Sequence, residues 1–157
     1  MMRQVATLLQ KAPWFAVFAQ SIWRIKQPKF SAGVVGVVFD QQGRVLLVEH
    51  VFHPYAPWGL PGGWVDRAEH PAQTIEREML EELGLKVQVG PILLAEIDGN
   101  HLDMAYLCSM SGTISKLSRE LLNVGWYDAD TMPTLLSFHR RAIHAAHTFQ
   151  EKLVKPL

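Results

Sequence analysis

Three glutamates at helical spacing are the residues of this chain best placed to do chemistry. Glu78, Glu81 and Glu82 stand at positions i, i+3 and i+4 of a segment whose apolar periodicity predicts a helix over residues 71–83, so their carboxylates should share one face. They fall in the second half of that helix, where the helix dipole disfavours negative charge. Helix stability therefore does not explain their placement.

Two interpretations of this acidic cluster are open at this point. In the first, the cluster is a solvent-exposed face on which Arg77 compensates Glu81 through an i, i+4 pair. In the second, it binds a hard divalent cation, because carboxylate oxygens are the ligands that Mg²⁺ and Mn²⁺ prefer. The helix alone does not decide between them.

A glycine loop lies just before the acidic helix. Gly62 and Gly63 close a proline-containing loop, and Glu69 adds one more carboxylate before the helix begins. Glycines permit backbone turns and the close approach of a ligand. The loop and the carboxylates together predict an oxygen-rich pocket for a metal-bound polyphosphate, since a cation would screen the phosphates from the acidic wall.

The spacing of these residues resembles the signature of the Nudix hydrolases, G-x5-E-x7-R-E-U-x-E-E-x-G-U, in which U is aliphatic. The stretches "WGLPGG" and "VGWYDADTMP" also look like family features, and the resemblance covers roughly residues 30–149. Met79 stands at the first U position, where a branched aliphatic residue is usual. The residues that match the required positions are Gly63, Glu69, Arg77, Glu78, Glu81, Glu82, Gly84 and Leu85.

The resemblance implies a fold, a reaction and a cofactor. The implied fold is an α/β/α sandwich with a mixed sheet between helices, and the reaction is hydrolysis of a nucleoside diphosphate linked to another moiety. The implied cofactor is Mg²⁺ or Mn²⁺. Its expected ligands are Glu78, Glu81 and Glu82, with the carbonyl of Gly63 as a further donor.

Further roles follow from the same resemblance. Arg77 is expected to orient the carboxylates by pairing with one of them, such as Glu69. A carboxylate must accept the proton of the attacking water. Glu82 and Glu78 are expected in that role ahead of Glu120, which stands where some relatives carry an additional glutamate; the alternative for Glu120 is a plain surface acid.

Aromatic and histidine residues offer candidates for substrate contact. His50, His53, Tyr55 and Trp58 flank the loop that leads into the glycines. We expect Tyr55, Trp58 and Gly62 to bind substrate, because aromatic rings stack on bases, although Trp58 could instead belong to the core. The histidines of the last helix favour a partly exposed face over a metal site; they are His139, His144 and His147.

The substrate class is predicted from subfamily sequence motifs that this chain lacks outside the signature. The features of relatives that cleave ADP-ribose, NADH or coenzyme A are not found at the corresponding positions. Their absence favours a nucleoside triphosphate, including oxidised ones, or a small nucleoside diphosphate derivative. The alternatives are an ADP-ribose or nucleotide-sugar pyrophosphatase and a non-catalytic nucleotide-binding module; the intact signature favours an enzyme.

The remaining pattern predicts the elements that position these residues. "SAGVVGVVFD" and "VLLVEH", joined by the turn "DQQGR", predict a hairpin. A short strand near Trp58, the acidic helix, a strand interrupted at Gly90 and Pro91, two more strands and a final helix follow. Such an order indicates a mixed sheet covered by helices.

The whole chain is consistent with one Nudix domain at 29–157 and an apolar helical arm at 1–28. Its 15 Lys and Arg residues balance 15 Asp and Glu residues, so the overall charge favours neither nucleic acid, which is not expected as a partner, nor an anionic membrane as the main partner. The lone Cys108 is expected in the core and, being unable to form an internal disulfide, favours the cytoplasm.

The arm admits several roles. Its apolar stretch is too short for a membrane span, and Pro13 and the lack of a cleavage site disfavour a signal peptide. The apolar side chains could cover the domain, build a homodimer with a second subunit or meet a lipid interface. The sequence leaves these three possibilities open.

Overall fold

The computed structural model describes residues 13–154, which divide into two compact units between Phe30 and Ser31. The first unit contains helix α1 (Pro13–Lys26), which begins at a proline, a residue suited to the first turn. Within the described residues, no helix is long and apolar enough to cross a bilayer. The part of the predicted arm at 1–12 lies outside the described residues, and the domain boundary after residue 28 stays a prediction.

The second unit is built from two β-sheets and two helices. A mixed four-stranded sheet has the order β4-β1-β6-β5, in which β1 and β6 are parallel, and an antiparallel three-stranded sheet has the order β3-β2-β7. The elements are β1 (Ser31–Val38), β2 (Val45–His50), β3 (Trp58–Gly59), β4 (Gly62–Trp64), α2 (Pro71–Leu83), β5 (Lys86–Asp98), β6 (His101–Ser111), β7 (Leu121–Tyr127) and α3 (Ser137–Val154).

The predicted hairpin of β1 and β2 is wrong. The turn between them forms as expected, with the Asp40 N–H donating to the Arg44 carbonyl at 2.9 Å. Beyond one bridge between Phe39 and Val45, however, the two strands belong to different sheets. Both faces of each strand are apolar, so each can be buried centrally, and the short turn carries the chain from one sheet to the other.

The core has two halves, one on each face of the four-stranded sheet. Val34 and Val38 pack with α2 residues such as Ile75 and Met79, whereas Val37, of opposite strand parity, packs with the α3 side. The prediction of a mixed sheet covered by helices is therefore confirmed. Cys108 is buried in the α2 half of the core, as expected.

Helix α2 begins and ends where local signals place it. His70 is the N-cap and, with Gln73, forms a capping box, and Pro71 takes the first helical position. At the other end Gly84 adopts the left-handed conformation, with φ of 62°, and donates its N–H to the Leu80 carbonyl. These ends set which part of the acidic segment lies on the helix.

Candidate active site

A cavity of about 440 Å³ opens where the end of β2, strand β4 and helix α2 meet. It brings together candidate site residues from distant stretches of the sequence: the paired glycines, two of the helix glutamates, Arg77 and Glu120. The complete lining is His50, Phe52, His53, Gly62, Gly63, Trp64, Asp66, Arg77, Glu78, Glu82 and Glu120.

The two glycines let the chain pass through a space that no side chain fits. Gly62 has a φ of 156°, and a Cβ built there would lie 2.1 Å from the carbonyl oxygen of Val34. A Cβ on Gly63 would lie 2.3 Å from Oε1 of Glu78. The glycine loop therefore lies directly against β1 on one side and against the Glu78 carboxylate on the other.

Arg77 organises the carboxylates on its side of the cavity. Its Nε donates to Oε1 of Glu69 at 2.9 Å and its Nη2 to Oε2 at 3.0 Å, while Nη1 donates to Oε1 of Glu78 at 2.8 Å. The Arg77 hydrogen bonds, supported by the Thr74 hydroxyl, lower the pKa of Glu69 to about 2. The Glu69 pairing in turn raises the pKa of Arg77. One guanidinium thus ties the loop acid to the helix acid.

Glu81 takes a different position from its neighbours on the helix. Its carboxylate lies 3.5 Å from Nη1 of Arg77, its side chain is 62% exposed, and it is not among the residues that line the cavity. The i, i+4 pair with Arg77 is thus present. Glu78 and Glu82 alone carry the acidic face of the helix into the cavity.

Glu82 is a buried carboxylate, and one of its two oxygens lacks a hydrogen-bond partner among the described residues. The residue is 6% exposed, and within the described part of the chain its Oε2 atom has no hydrogen-bond partner. Burial raises the pKa of Glu82 to about 8, and the charges of Glu78, Glu120 and Glu81 add to the effect. Burial also raises the pKa of Glu78, against the opposing pull of Arg77. A buried, unpaired carboxylate of this kind is costly unless something else binds it.

Glu120 reaches the cavity through a loop that closes the end of α2. The Ser115 N–H donates to the Leu83 carbonyl at 3.0 Å and the Ser118 N–H to the Glu82 carbonyl at 2.8 Å, so the loop satisfies carbonyls that the helix end leaves open. The Val51 N–H donates to the Glu120 carbonyl at 2.9 Å. This anchoring places Glu120 at the cavity beside Glu82.

The donor set suits a hard divalent cation. Glu78, Glu82, Glu120 and Asp66 line the cavity with oxygens, the kind of ligand that Mg²⁺ and Mn²⁺ take, and Oε2 of Glu82 has no hydrogen-bond partner among the described residues. Among residues 13–154, no three His, Cys, Asp or Glu side chains already stand at metal-binding distances from one another. Binding of a cation by three of these side chains would therefore require them to move closer together.

The two aromatic residues that were expected to bind substrate, Tyr55 and Trp58, do not line the cavity. Gly62 lines the cavity, but Tyr55 is 98% exposed and outside the lining. Trp58 is also outside the lining and packs edge-on against Tyr127, with ring centroids 5.2 Å apart, in the α3 half of the core. Substrate contact by Tyr55 and Trp58 is thus not supported by where they lie.

Two aromatic residues that the sequence analysis did not select line the cavity instead, Phe52 and Trp64. The Trp64 ring lies 4.7 Å from the ring of His101, which is held by the Ser31 hydroxyl at 2.8 Å and by Asp103 Oδ1 at 3.1 Å. A tryptophan directly after the paired glycines was the signal that could have identified this position.

The histidines divide between the cavity and the core. His50 lines the cavity, and burial, with the nearby His53, lowers its pKa to about 4. His139 is half-buried: its Nδ1 accepts the Leu60 N–H at 2.8 Å, and its ring fills the space beside Gly59. The expectation holds for His144, which is exposed.

The mixed sheet between helices and the carboxylate-lined cavity define a hydrolase of the kind that acts on phosphoric anhydrides. Residues 29–146 match the NUDIX domain, and the protein belongs to the Nudix hydrolase family. A MutT-like protein of Streptomyces ambofaciens is 30% identical over 105 residues, which cover 66% of this chain and 67% of that protein.

Other relatives show the same relationship over shorter parts of their length. The 8-oxo-dGDP phosphatase NUDT18 of Homo sapiens is 30% identical over 112 residues, 68% of this chain but only 35% of that protein. Among solved structures, a MutT NUDIX hydrolase from Burkholderia pseudomallei has a TM-score of 0.61 and 29% identity, covering 76% of this chain and 98% of that one. An ADP-ribose pyrophosphatase from Streptococcus suis, with a TM-score of 0.64 and 22% identity over 80% of this chain and 92% of its own, shares the fold.

Proposed function

We propose that this protein is a metal-dependent pyrophosphohydrolase of nucleoside triphosphates, including oxidised ones, or of small nucleoside diphosphate derivatives. The observation that carries the proposal is the buried Oε2 atom of Glu82, unpaired among the described residues, inside a cavity that Glu78 and Glu120 also line. A stable core would not retain such a group without a partner. A divalent cation, and through it a pyrophosphate, is the partner that this oxygen-rich cavity suits.

The proposed cation ligands are the carboxylates and the carbonyl that lie at the cavity. Glu82, with its unmatched oxygen, and the carbonyl of Gly63 would hold the cation, with Glu78 and Glu120 as neighbouring oxygen donors. Glu81 stays at the rim beside Arg77 and reaches the cation only by rotating inward. When bound, Mg²⁺ or Mn²⁺ would offset phosphate charge and make a water molecule more acidic.

Glu78 is the proposed acceptor of the water proton. Arg77 and the glycine loop hold its Oε1 atom, which orients the second carboxylate oxygen without using it. A proton acceptor must be fixed within hydrogen-bonding reach of the water that attacks phosphorus. Glu69 contributes indirectly, because its two hydrogen bonds with Arg77 fix the guanidinium that orients Glu78.

The cavity suits a nucleotide better than a more highly charged substrate. Arg77 is the cationic residue in the described lining, and Glu69 and Glu78 already engage it, while the lowered pKa of His50 leaves that imidazole neutral. A substrate with many phosphates would find few positive partners. Phe52 and Trp64 instead provide aromatic surface for a base. The human relative named as an 8-oxo-dGDP phosphatase supports including oxidised nucleotides among the candidates.

The test combines a substrate panel with one substitution that removes a negative charge but keeps the size of the side chain. Nucleoside triphosphates, oxidised nucleotides, nucleotide sugars and ADP-ribose would be incubated with Mg²⁺ or Mn²⁺, and phosphate-containing products measured. Glu82→Gln should lower kcat on the best substrate by about 100-fold or more, because it removes the central charged ligand. Glu76→Gln is the matched control, since Glu76 is exposed on the same helix and does not line the cavity.

Binding can be measured separately from turnover. Mg²⁺ should raise the melting temperature of the wild-type protein and of Glu76→Gln, because it relieves the crowded carboxylates in the folded state only. The rise should be absent from Glu82→Gln. Equal shifts in all three proteins, or near-normal turnover by Glu82→Gln, would refute the assigned site.

A further inference from the structure

The net charge of zero conceals a strong separation of charge along the chain. Residues 1–30 contain five Lys or Arg residues and no Asp or Glu, whereas all 15 acidic residues of the chain follow residue 30. The first segment therefore carries a charge of about +5 at neutral pH and the remainder about −5.

Helix α1 within this segment exposes large apolar side chains. Val17 is 61% exposed, Phe18 59% and Ile22 44%. At 3.6 residues per turn these three fall within an arc of about 140° on one side of the helix. Arg24 lies about 20° beyond one edge of that arc and Lys26 about 40° beyond the other. Basic residues thus flank the apolar face on both sides.

The apolar face of α1 and its flanking basic residues limit which partners this helix could bind. A helix that crosses a bilayer is excluded for the described residues, since none is long and apolar enough. Two parallel copies of α1 packed face to face would bring like charges together at Arg24, Lys26 and the following Lys29. An apolar face flanked by Lys and Arg is instead the pattern of a helix that lies in the plane of an anionic lipid surface.

We propose that α1 docks the protein on anionic membrane surfaces. The apolar face enters the boundary between headgroups and acyl chains, and Arg24, Lys26 and Lys29 meet the lipid phosphates and carboxylates. Hydrophobic burial and electrostatic attraction add together in this mode of binding, so both the apolar side chains and the negative lipid are required. The proposal is independent of the hydrolytic reaction.

The test is co-sedimentation of the full-length protein with lipid vesicles. We expect binding to vesicles that contain phosphatidylserine in phosphatidylcholine, little binding to phosphatidylcholine alone, and weakening by added salt. The triple substitution Arg24→Gln, Lys26→Gln, Lys29→Gln should lower the partition coefficient on the order of 100-fold, from the attraction lost at three basic residues. Phe18→Ser with Ile22→Ser should also abolish binding.

A matched control separates local from overall charge. Lys86→Gln, Arg119→Gln and Arg140→Gln remove the same number of charges from exposed positions of the Nudix domain, and this variant should bind like the wild type. Each of these variants should hydrolyse substrate at the wild-type rate.

Two results would overturn the proposal. The first is equal loss of vesicle binding in the two charge variants, or no binding by the wild type at all. The second is salt-resistant self-association in sedimentation velocity, abolished by Phe18→Ser with Ile22→Ser and unaffected by vesicles, because this would assign the apolar face to a second copy of the chain.

Discussion

Glu78 lies so close to the backbone of Gly63 that no side-chain carbon fits between them. A Cβ at position 63 would lie 2.3 Å from Oε1 and 2.5 Å from the carboxyl carbon of Glu78. On its other side the same oxygen accepts a hydrogen bond of 2.8 Å from Nη1 of Arg77. A loop residue and a helix residue thereby hold one carboxylate from both sides.

Replacing Gly63 with alanine should therefore reduce turnover without unfolding the protein. Gly63 is not among the residues with a positive φ, so alanine meets no backbone strain there. The added methyl group instead displaces Glu78, and we expect kcat to fall about 100-fold, as for loss of a general base. Steady-state kinetics and thermal melting measure the two effects. Unchanged kcat, or a large loss of stability, would show that the contact does not orient Glu78 for catalysis.

Arg77 should not be replaceable by lysine. Its planar guanidinium binds both oxygens of Glu69 and one of Glu78 simultaneously, which a single ammonium cannot reproduce. Arg77→Lys is expected to lower kcat about 10- to 100-fold with little change in KM, since Glu78, the proposed proton acceptor, is then held less firmly.

The control for this substitution is a second two-pronged arginine pair. Arg141 pairs with both carboxylate oxygens of Glu96, on the surface and away from the cavity. Arg141→Lys should leave kcat and KM at wild-type values. Equal losses of activity in both variants would indicate a general effect on folding rather than a role for Arg77 at the site.

Helix α2 shows what the sequence could predict. Its ends coincide with the predicted residues 71–83 because Pro71, Gly84 and the apolar stripe are local signals that act within one helical turn. Even the unusual Met79 has a structural reason: its flexible side chain packs over Gly36, where a Cβ would lie 2.8 Å from the Met79 methyl group. The positions of Glu78 and Glu82 on the helix followed from the same periodicity.

Long-range relationships could not be predicted in the same way. The short turn after β1 indicated a hairpin, but strand partners are chosen by pairing across the fold, and β1 pairs with β6 and β4 instead. Glu120 lies at the cavity because N–H groups of its loop donate to the last carbonyls of α2, and no local sequence pattern predicts those hydrogen bonds. Glu81 shares the spacing of its neighbours but remains exposed, because helix periodicity defines a face and not its depth.

Trp64 should recognise the base of a nucleotide substrate. Its ring lines the cavity, is 65% exposed and is held by His101, which leaves aromatic surface in place for stacking. Trp64→Ala should raise KM for a nucleoside triphosphate about 10-fold, as stacking on one base contributes about 1–3 kcal/mol, while Trp64→Phe should retain most of the affinity.

Inorganic tripolyphosphate provides the comparison without a base. Its KM should be the same for the wild type and Trp64→Ala, so a parallel increase for both substrates would indicate distortion of the phosphate site. Tyr55→Ala is the control for exposed aromatic surface outside the cavity, and it should not change KM for either substrate. An effect of Tyr55→Ala would restore the original expectation that this residue contacts substrate.

Acid should destabilise the protein through His139. The half-buried ring lies near His50 and His53, and its Nδ1 accepts the Leu60 N–H; partial burial and then the two neighbouring histidines lower its pKa from 6.5 to about 4. Between those pH values the unfolded chain takes up a proton at this residue and the folded chain does not. The stabilising effect of a neutral His139 is therefore complete above pH 6.5 and is lost as the pH falls toward 4.

The expected loss of unfolding free energy from this residue is about 3 kcal/mol at most over that interval. Urea denaturation of the wild type and of His139→Gln at each pH isolates the effect, because titration of the carboxylates and of His50 contributes to both proteins. Glutamine can accept the Leu60 N–H without titrating, so the wild type should lose stability more steeply. His144→Gln, at an exposed position of the same helix, should follow the wild type; parallel curves for wild type and His139→Gln would show that His139 titrates as it does in water.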